Sequence, residues 1–132
     1  MLSTNSADLI LTIQIVMGLS VFCFWDAYFI RKKSNMAHRA LAIIGVLSNL
    51  FGAVYLVYHV HFEKISIVSA YPETLVIIHR VVAALVTVLM VLMAYTGITR
   101  KREIHIRLHM IFLISYSIIY ISGLILFQAP VK

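Results

Sequence analysis

Four apolar runs, each about as long as a bilayer core is thick, dominate this 132-residue chain. They cover about residues 9–30, 37–59, 74–99 and 105–127. A helix rises 1.5 Å per residue, so about 20 residues cross a hydrocarbon layer of roughly 30 Å. Lipid offers no partner to a backbone N–H or C=O, so a run of this kind crosses it as a helix. The connections, residues 31–36, 62–73 and 100–104, are short enough to make consecutive helices antiparallel neighbours. The chain therefore reads as all-α: an integral membrane four-helix bundle of up-down-up-down topology, one domain over residues 1–132.

Composition supports the same solvent. Hydrophobic residues make up 62% of the chain and charged residues 12%, with a mean hydropathy of +0.99. Soluble domains carry about 25% charge, so the lipid bilayer is the partner this surface demands. The net charge of +6 does not read as nucleic-acid binding, because the basic residues gather at segment ends. Arg31, Lys32, Lys33, Arg39, Arg100, Lys101, Arg102 and Arg107 flank the first and third loops, against Lys64, Arg80 and Lys132 on the opposite side. Eight against three puts the first and third loops in the cytoplasm and both termini outside, in a multi-pass protein of the cell membrane. No Lys or Arg precedes the first run, which reads as a retained helix rather than a cleaved signal. Its boundaries are marked by Ser6 as a candidate cap and by Arg31–Lys33 as a stop. Ser34 or Asn35 caps the second run, and Pro72–Glu73 opens the third. Cys23, the only cysteine, lies within the first run and reads as a small packing residue.

Six histidines lie near the segment ends: His38, His105 and His109 toward one face, His59, His61 and His79 toward the other. His38, Gly45, Gly52 and His59 recur every seven residues and share one drifting stripe. Such a stripe suits a flat cofactor or close helix packing. His59 and His79 sit where they can face each other across a helix pair, as the axial ligands of haem b do; the alternative is imidazoles wetted at the interface. Gly52 then lies on the cofactor-facing stripe. His61, two residues further out, reads as wetted. On the other face, His105 and His109 are spaced i, i+4 and can grip one ion together with His38; copper, zinc and iron all accept imidazole. His38-Arg39 recurs as His79-Arg80, and an arginine beside a ligand histidine suits a haem propionate or, equally, a lipid phosphate. His38 and His59 are about 31 Å apart along a helix, which favours one site, or two with separate roles, over a continuous electron wire. Asp26 is the one acid well inside a span, placed to orient a histidine or to pair with Arg31 or Lys33. Tyr116 and Tyr120 suit hydrogen bonds across the bundle or plain packing, and Met90 and Met93 suit gap-filling. No nucleophile–base pair, phosphate loop or carboxylate dyad is present in the sequence.

Taken in order, these positions resemble a family of small four-helix membrane proteins linked to cytochrome c oxidase maturation. The pattern is His38-Arg39 opening one helix, Tyr58-His59 ending it, His79 early in the next, His105 opening the last, and the small pair Ser122-Gly123 late in it. It covers residues 36–127. Tyr116 stands where that family carries a tryptophan, the last helix has no proline, and His109 is an addition. The resemblance implies work beside haem-copper oxidases and importance for the four matched histidines. The expected function is a haem- or metal-binding accessory protein in oxidase assembly or electron transfer, with haem b first and copper or another ion second. A non-catalytic structural subunit of a membrane complex and a small membrane redox enzyme are the rivals.

Overall fold

The computed structural model describes residues 5–128. Four helices follow in order: α1 (Ser6–Ile30), α2 (Asn35–His61), α3 (Glu73–Ile98) and α4 (Arg102–Leu126). Each is long and apolar enough to cross a membrane, so the chain reads as a multi-pass membrane protein. Local chemistry sets the ends. Asn5, rather than Ser6, caps α1, its Oδ1 accepting from the Asp8 N–H at 2.8 Å. Ser34 Oγ accepts from the Ala37 N–H and caps α2. Pro72 precedes the first residue of α3, and Glu73 complements the positive end of its dipole. At the other end of α3, Arg100 takes a left-handed φ of 56°, and the Lys101 N–H reaches back to the Thr96 carbonyl. This closing turn lets α4 start directly, at Arg102, three residues before the sequence pattern suggested.

α1 is the hub, packing against α2 along its length and against α4, while α3 packs against α4. The two helices that follow each other across the longest connection, α2 and α3, do not pack along one another. The bundle is the all-α four-helix arrangement the sequence implies, with this one consecutive pair standing apart. The core sits between α1, α3 and α4 and holds Phe24, Val86, Met90, Met93, Phe112, Leu113 and Tyr116. Phe24 meets Phe112 edge-on at 5.0 Å and Tyr116 at 5.5 Å, geometry favoured by the ring quadrupoles. Cys23 is free and buried, as a packing residue would be. Outward faces are apolar throughout; Phe22 and Leu85 are each 64% exposed, which only lipid makes tolerable.

Because lipid-like surroundings supply no driving force between apolar faces, small residues and polar cross-links hold the helices together. Gly45 receives the Phe24 ring, Gly52 receives Met17 and Val16, and Gly18 receives the Tyr120 hydroxyl end. The Ser20 hydroxyl donates to the Gly45 carbonyl at 2.6 Å, tying α1 to α2. Trp25 Nε1 donates to Ser117 Oγ, tying α1 to α4. At mid-height, the Tyr116 hydroxyl donates to Asn49 Oδ1 at 3.3 Å and Asn49 Nδ2 donates to Met90 Sδ at 3.1 Å. Asn49 therefore links α2 to both α4 and α3. Among the described residues, every buried side-chain nitrogen and oxygen has a hydrogen-bond partner.

Candidate functional site

Where α2 and α3 part, a cavity of about 840 Å³ opens toward the end of the bundle that carries the 62–72 loop. Asn49, Tyr116 and Val86 lie at its deep end, with apolar walls that include Ile13, Met17, Leu56 and Ile119. His61 of α2 and His79 and Arg80 of α3 also line it, and Ile65–Ile67 of the loop border it. The loop is tied down: Ser69 Oγ donates to the Leu126 carbonyl at 2.7 Å, and the Ile65 N–H donates to the His59 carbonyl. Gln14 and Tyr120 close the α1–α4 side, Gln14 Nε2 donating to the Phe127 carbonyl and the Tyr120 hydroxyl to the Gln14 carbonyl. The volume lies in the range of small-molecule and cofactor sites, and so does the mixture of apolar wall with few polar groups.

His79 is the best-defined polar group in this cavity. Ser122 Oγ spends its single proton on the Ile119 carbonyl, at 2.9 Å. It also lies 2.9 Å from His79 Nδ1, within hydrogen-bond distance. The tautomer protonated at Nδ1 satisfies both contacts and makes Nε2 the acceptor nitrogen of the ring. Gly123 makes room for the ring: a Cβ there would stand 3.4 Å from His79 Cε1 and 3.7 Å from Nε2. Phe127 covers the ring from the side at a centroid distance of 5.4 Å.

His59 sits elsewhere. It is only 7% exposed and does not line the cavity. Its Nδ1 donates to the Tyr55 carbonyl one turn back at 2.9 Å, its ring lies 4.1 Å from that of Tyr55, and Nε2 is 3.7 Å from a Glu63 carboxylate oxygen. The cavity thus joins His79 with His61 rather than with His59, and His61 is itself exposed, in keeping with an imidazole near the interface. Gly52 likewise faces α1 and not the cavity, its stripe filled by Met17 and Val16. The element that approaches the stripe at Gly52 is α1.

At the opposite end of the bundle, His38, His105 and His109 come together. Ring centroids are 6.5 Å apart for His38–His105, 6.3 Å for His38–His109 and 5.7 Å for the stacked pair His105–His109. His38 Nδ1 donates to the Ala27 carbonyl at 2.8 Å, and His105 Nδ1 to the Met93 carbonyl at 3.2 Å, with Thr96 Oγ1 also at 3.2 Å. Gly97 leaves the room His105 occupies, a Cβ there meeting its Cε1 at 3.2 Å. Among the described residues, no group of three or more His, Cys, Asp or Glu side chains, this trio included, is placed to hold a metal ion. Arg31 does not pair with Asp26; its guanidinium lies over the Tyr28 ring at 3.7 Å, and Tyr28 lies tilted against His109 at a centroid distance of 5.2 Å. Among the described residues the single ion pair is His59–Glu63, so the expected partnership of Asp26 with Arg31 or Lys33 is absent. An aromatic ring attracts a guanidinium at little desolvation cost, which is why Tyr28 takes Arg31.

The aromatic core of Phe24, Phe112 and Leu113 lies between the two histidine groups. Tyr116 and Tyr120 do bond across the bundle, and Met90 and Met93 do fill its core. Asn49 and Gln14 escaped notice as site residues, although both were visible as polar groups in apolar runs, which in a membrane need partners; Ser122 was singled out only as a small residue beside Gly123. No protein family, curated protein or solved structure matches this chain.

Proposed function

We propose that this protein is a haem-b-binding membrane accessory protein serving electron transfer or assembly of a respiratory oxidase. The observation that carries the reading is the cavity itself: a space large enough for a flat cofactor, lined by a histidine whose Nδ1 is held at Ser122. His79 would ligate the iron, Arg80 at the cavity edge would pair with a propionate, and His61, on the facing helix, is the preferred second ligand. Bound haem supplies one-electron chemistry; the chain contributes ligation, a dry wall and a fixed imidazole. In the same reading the 62–72 loop and both termini lie outside the cell membrane, as the distribution of basic residues favours.

Expression with ample haem should yield a coloured protein with a six-coordinate, low-spin spectrum. His79→Ala should abolish the Soret band, and His61→Ala should convert it to a high-spin form. His59→Ala should leave it in place, because His59 does not line the cavity. A wild-type protein that purifies colourless overturns the haem reading and favours the structural-subunit role. A Soret band lost on His59→Ala and kept on His61→Ala would return the second ligand to His59.

A further inference from the structure

The cavity carries a second inference, about how it is reached, that does not rest on haem binding. We propose that it opens sideways into the bilayer between α2 and α3, and that without a cofactor it holds one acyl chain of a phospholipid whose phosphate lies at Arg80. The 62–72 segment lies across the water-facing end, with Ile65, Ser66 and Ile67 against the cavity. It is fastened to α2 by the Ile65 N–H on the His59 carbonyl and to α4 by Ser69 Oγ on the Leu126 carbonyl. Toward lipid no such cover stands, because α2 and α3 do not pack along one another. A residue that lines a cavity and is also exposed marks its mouth. On α2, Val57 is 60% exposed and Val60 41%; on α3, Arg80 and Ala84 are exposed.

Depth decides what meets this mouth. Ala53 lies about 12 Å along α2 from His61, and Ala84 and Thr87 lie about 17–21 Å along α3 from Glu73. In a hydrocarbon core of roughly 30 Å these positions reach the middle, where the surroundings are acyl chain and not water. The walls suit the same occupant: Ile13, Met17, Leu56 and Ile119 are apolar. At the deep end Asn49 and Tyr116 bond each other, and Asn49 bonds Met90, which leaves water few partners. A gap left empty there forfeits dispersion contacts that a chain regains. Arg80 supplies the charge complement. No carboxylate pairs with it among the described residues, its side chain is long enough to rise toward the headgroups, and phosphate oxygens accept its N–H groups. An amphiphile with one anionic end can thus enter apolar edge first, and a cofactor of that shape would displace the lipid.

The test places an indole inside the cavity of the full chain. Trp25→Phe removes the only tryptophan, and Leu56→Trp, or Ile13→Trp as a second position, puts one on the wall. The protein is reconstituted without haem in phosphatidylcholine vesicles, with or without bromine on the acyl chains. Brominated chains should quench either indole nearly as well as Leu85→Trp on the lipid-facing side of α3, and several-fold more than Phe112→Trp in the core. Iodide in the water should leave both unchanged. Native mass spectrometry of the wild-type chain should show one retained phospholipid, lost in Arg80→Ala. Quenching by iodide in place of bromine overturns the sideways mouth, and so does quenching by neither. Phospholipid retained equally by Arg80→Ala overturns the placement of the phosphate. Because these readouts need no haem, a colourless protein that brominated chains still quench retires the haem reading alone, and a coloured one whose haem-free form they leave bright retires this proposal alone.

Discussion

Gly45 shows how closely single residues are fitted here. A Cβ at this position would meet Phe24 ring atoms at 2.8, 2.9 and 3.1 Å, and the Gly45 carbonyl is held by Ser20. Phe24 cannot retreat, because Phe112 and Tyr116 flank it edge-on. At Gly52 the corresponding neighbour at 2.9 Å is Met17 Cε, the free end of a flexible chain. Gly45→Ala should therefore destabilise the protein by about 1–3 kcal/mol. Gly52→Ala should cost less than about 1 kcal/mol, since methionine re-packs readily. Thermal unfolding of both variants in one detergent gives the comparison, and equal losses would refute the distinction between rigid ring and flexible thioether. The seven-residue spacing announced that both glycines share a stripe. What fills the stripe at each level depends on side chains 21 to 36 positions away in the sequence, Phe24 at Gly45 and Met17 and Val16 at Gly52, which no local pattern encodes.

At the level of helices, the separation of α2 from α3 creates the cavity. The 62–72 segment lets their ends stand apart, while Asn49 and Met90 keep them in touch at mid-height. Ala53 and Ala83 line the cavity from α2 and α3. With Cys23 replaced by alanine, the pair Ala53→Cys and Ala83→Cys should resist oxidation to a disulfide, which requires Cα atoms within about 7 Å. A longer bis-maleimide should bridge the same pair. Rapid disulfide formation would mean that α2 and α3 close on each other and that no cofactor-sized space persists between them. Helix number and length were legible from the apolar runs alone. The short connections correctly implied that α1 packs on α2 and α3 on α4; they did not show that the longer connection leaves α2 and α3 apart, or that Phe24 packs on Phe112 and Tyr116 and so joins α1 to α4 as well.

For the whole molecule, orientation is the property still open to direct test. Ala70 lies in the α2–α3 loop and Asn35 begins α2 at the other end; both are exposed. In a Cys23→Ala background, Ala70→Cys should react with an impermeant maleimide on intact cells, and Asn35→Cys should react only after permeabilisation. The reverse pattern would invert the topology and place the 62–72 loop in the cytoplasm. Orientation also assigns the two histidine groups to compartments. The cavity with His79 would open outward, and His38, His105 and His109 would lie at the cytoplasmic side, separated by the aromatic core.

Apolar run length, capping residues and the bias of Arg and Lys were enough to determine that the chain is a four-helix membrane protein, because lipid leaves the backbone no alternative to helix. The meeting of His105 and His109 with His38 was legible too, since helical periodicity and shared depth put them on one end of the bundle. Tertiary structure alone decided that His79 faces a cavity with His61, that His59 bonds to its own helix instead, and that Gly52 meets Met17. The reason is physical: depth along a helix follows from position in the chain, but rotation about the helix axis follows from packing. In this bundle that rotation is set by a few contacts between distant segments, Phe24 on Gly45 and Asn49 with Tyr116 and Met90.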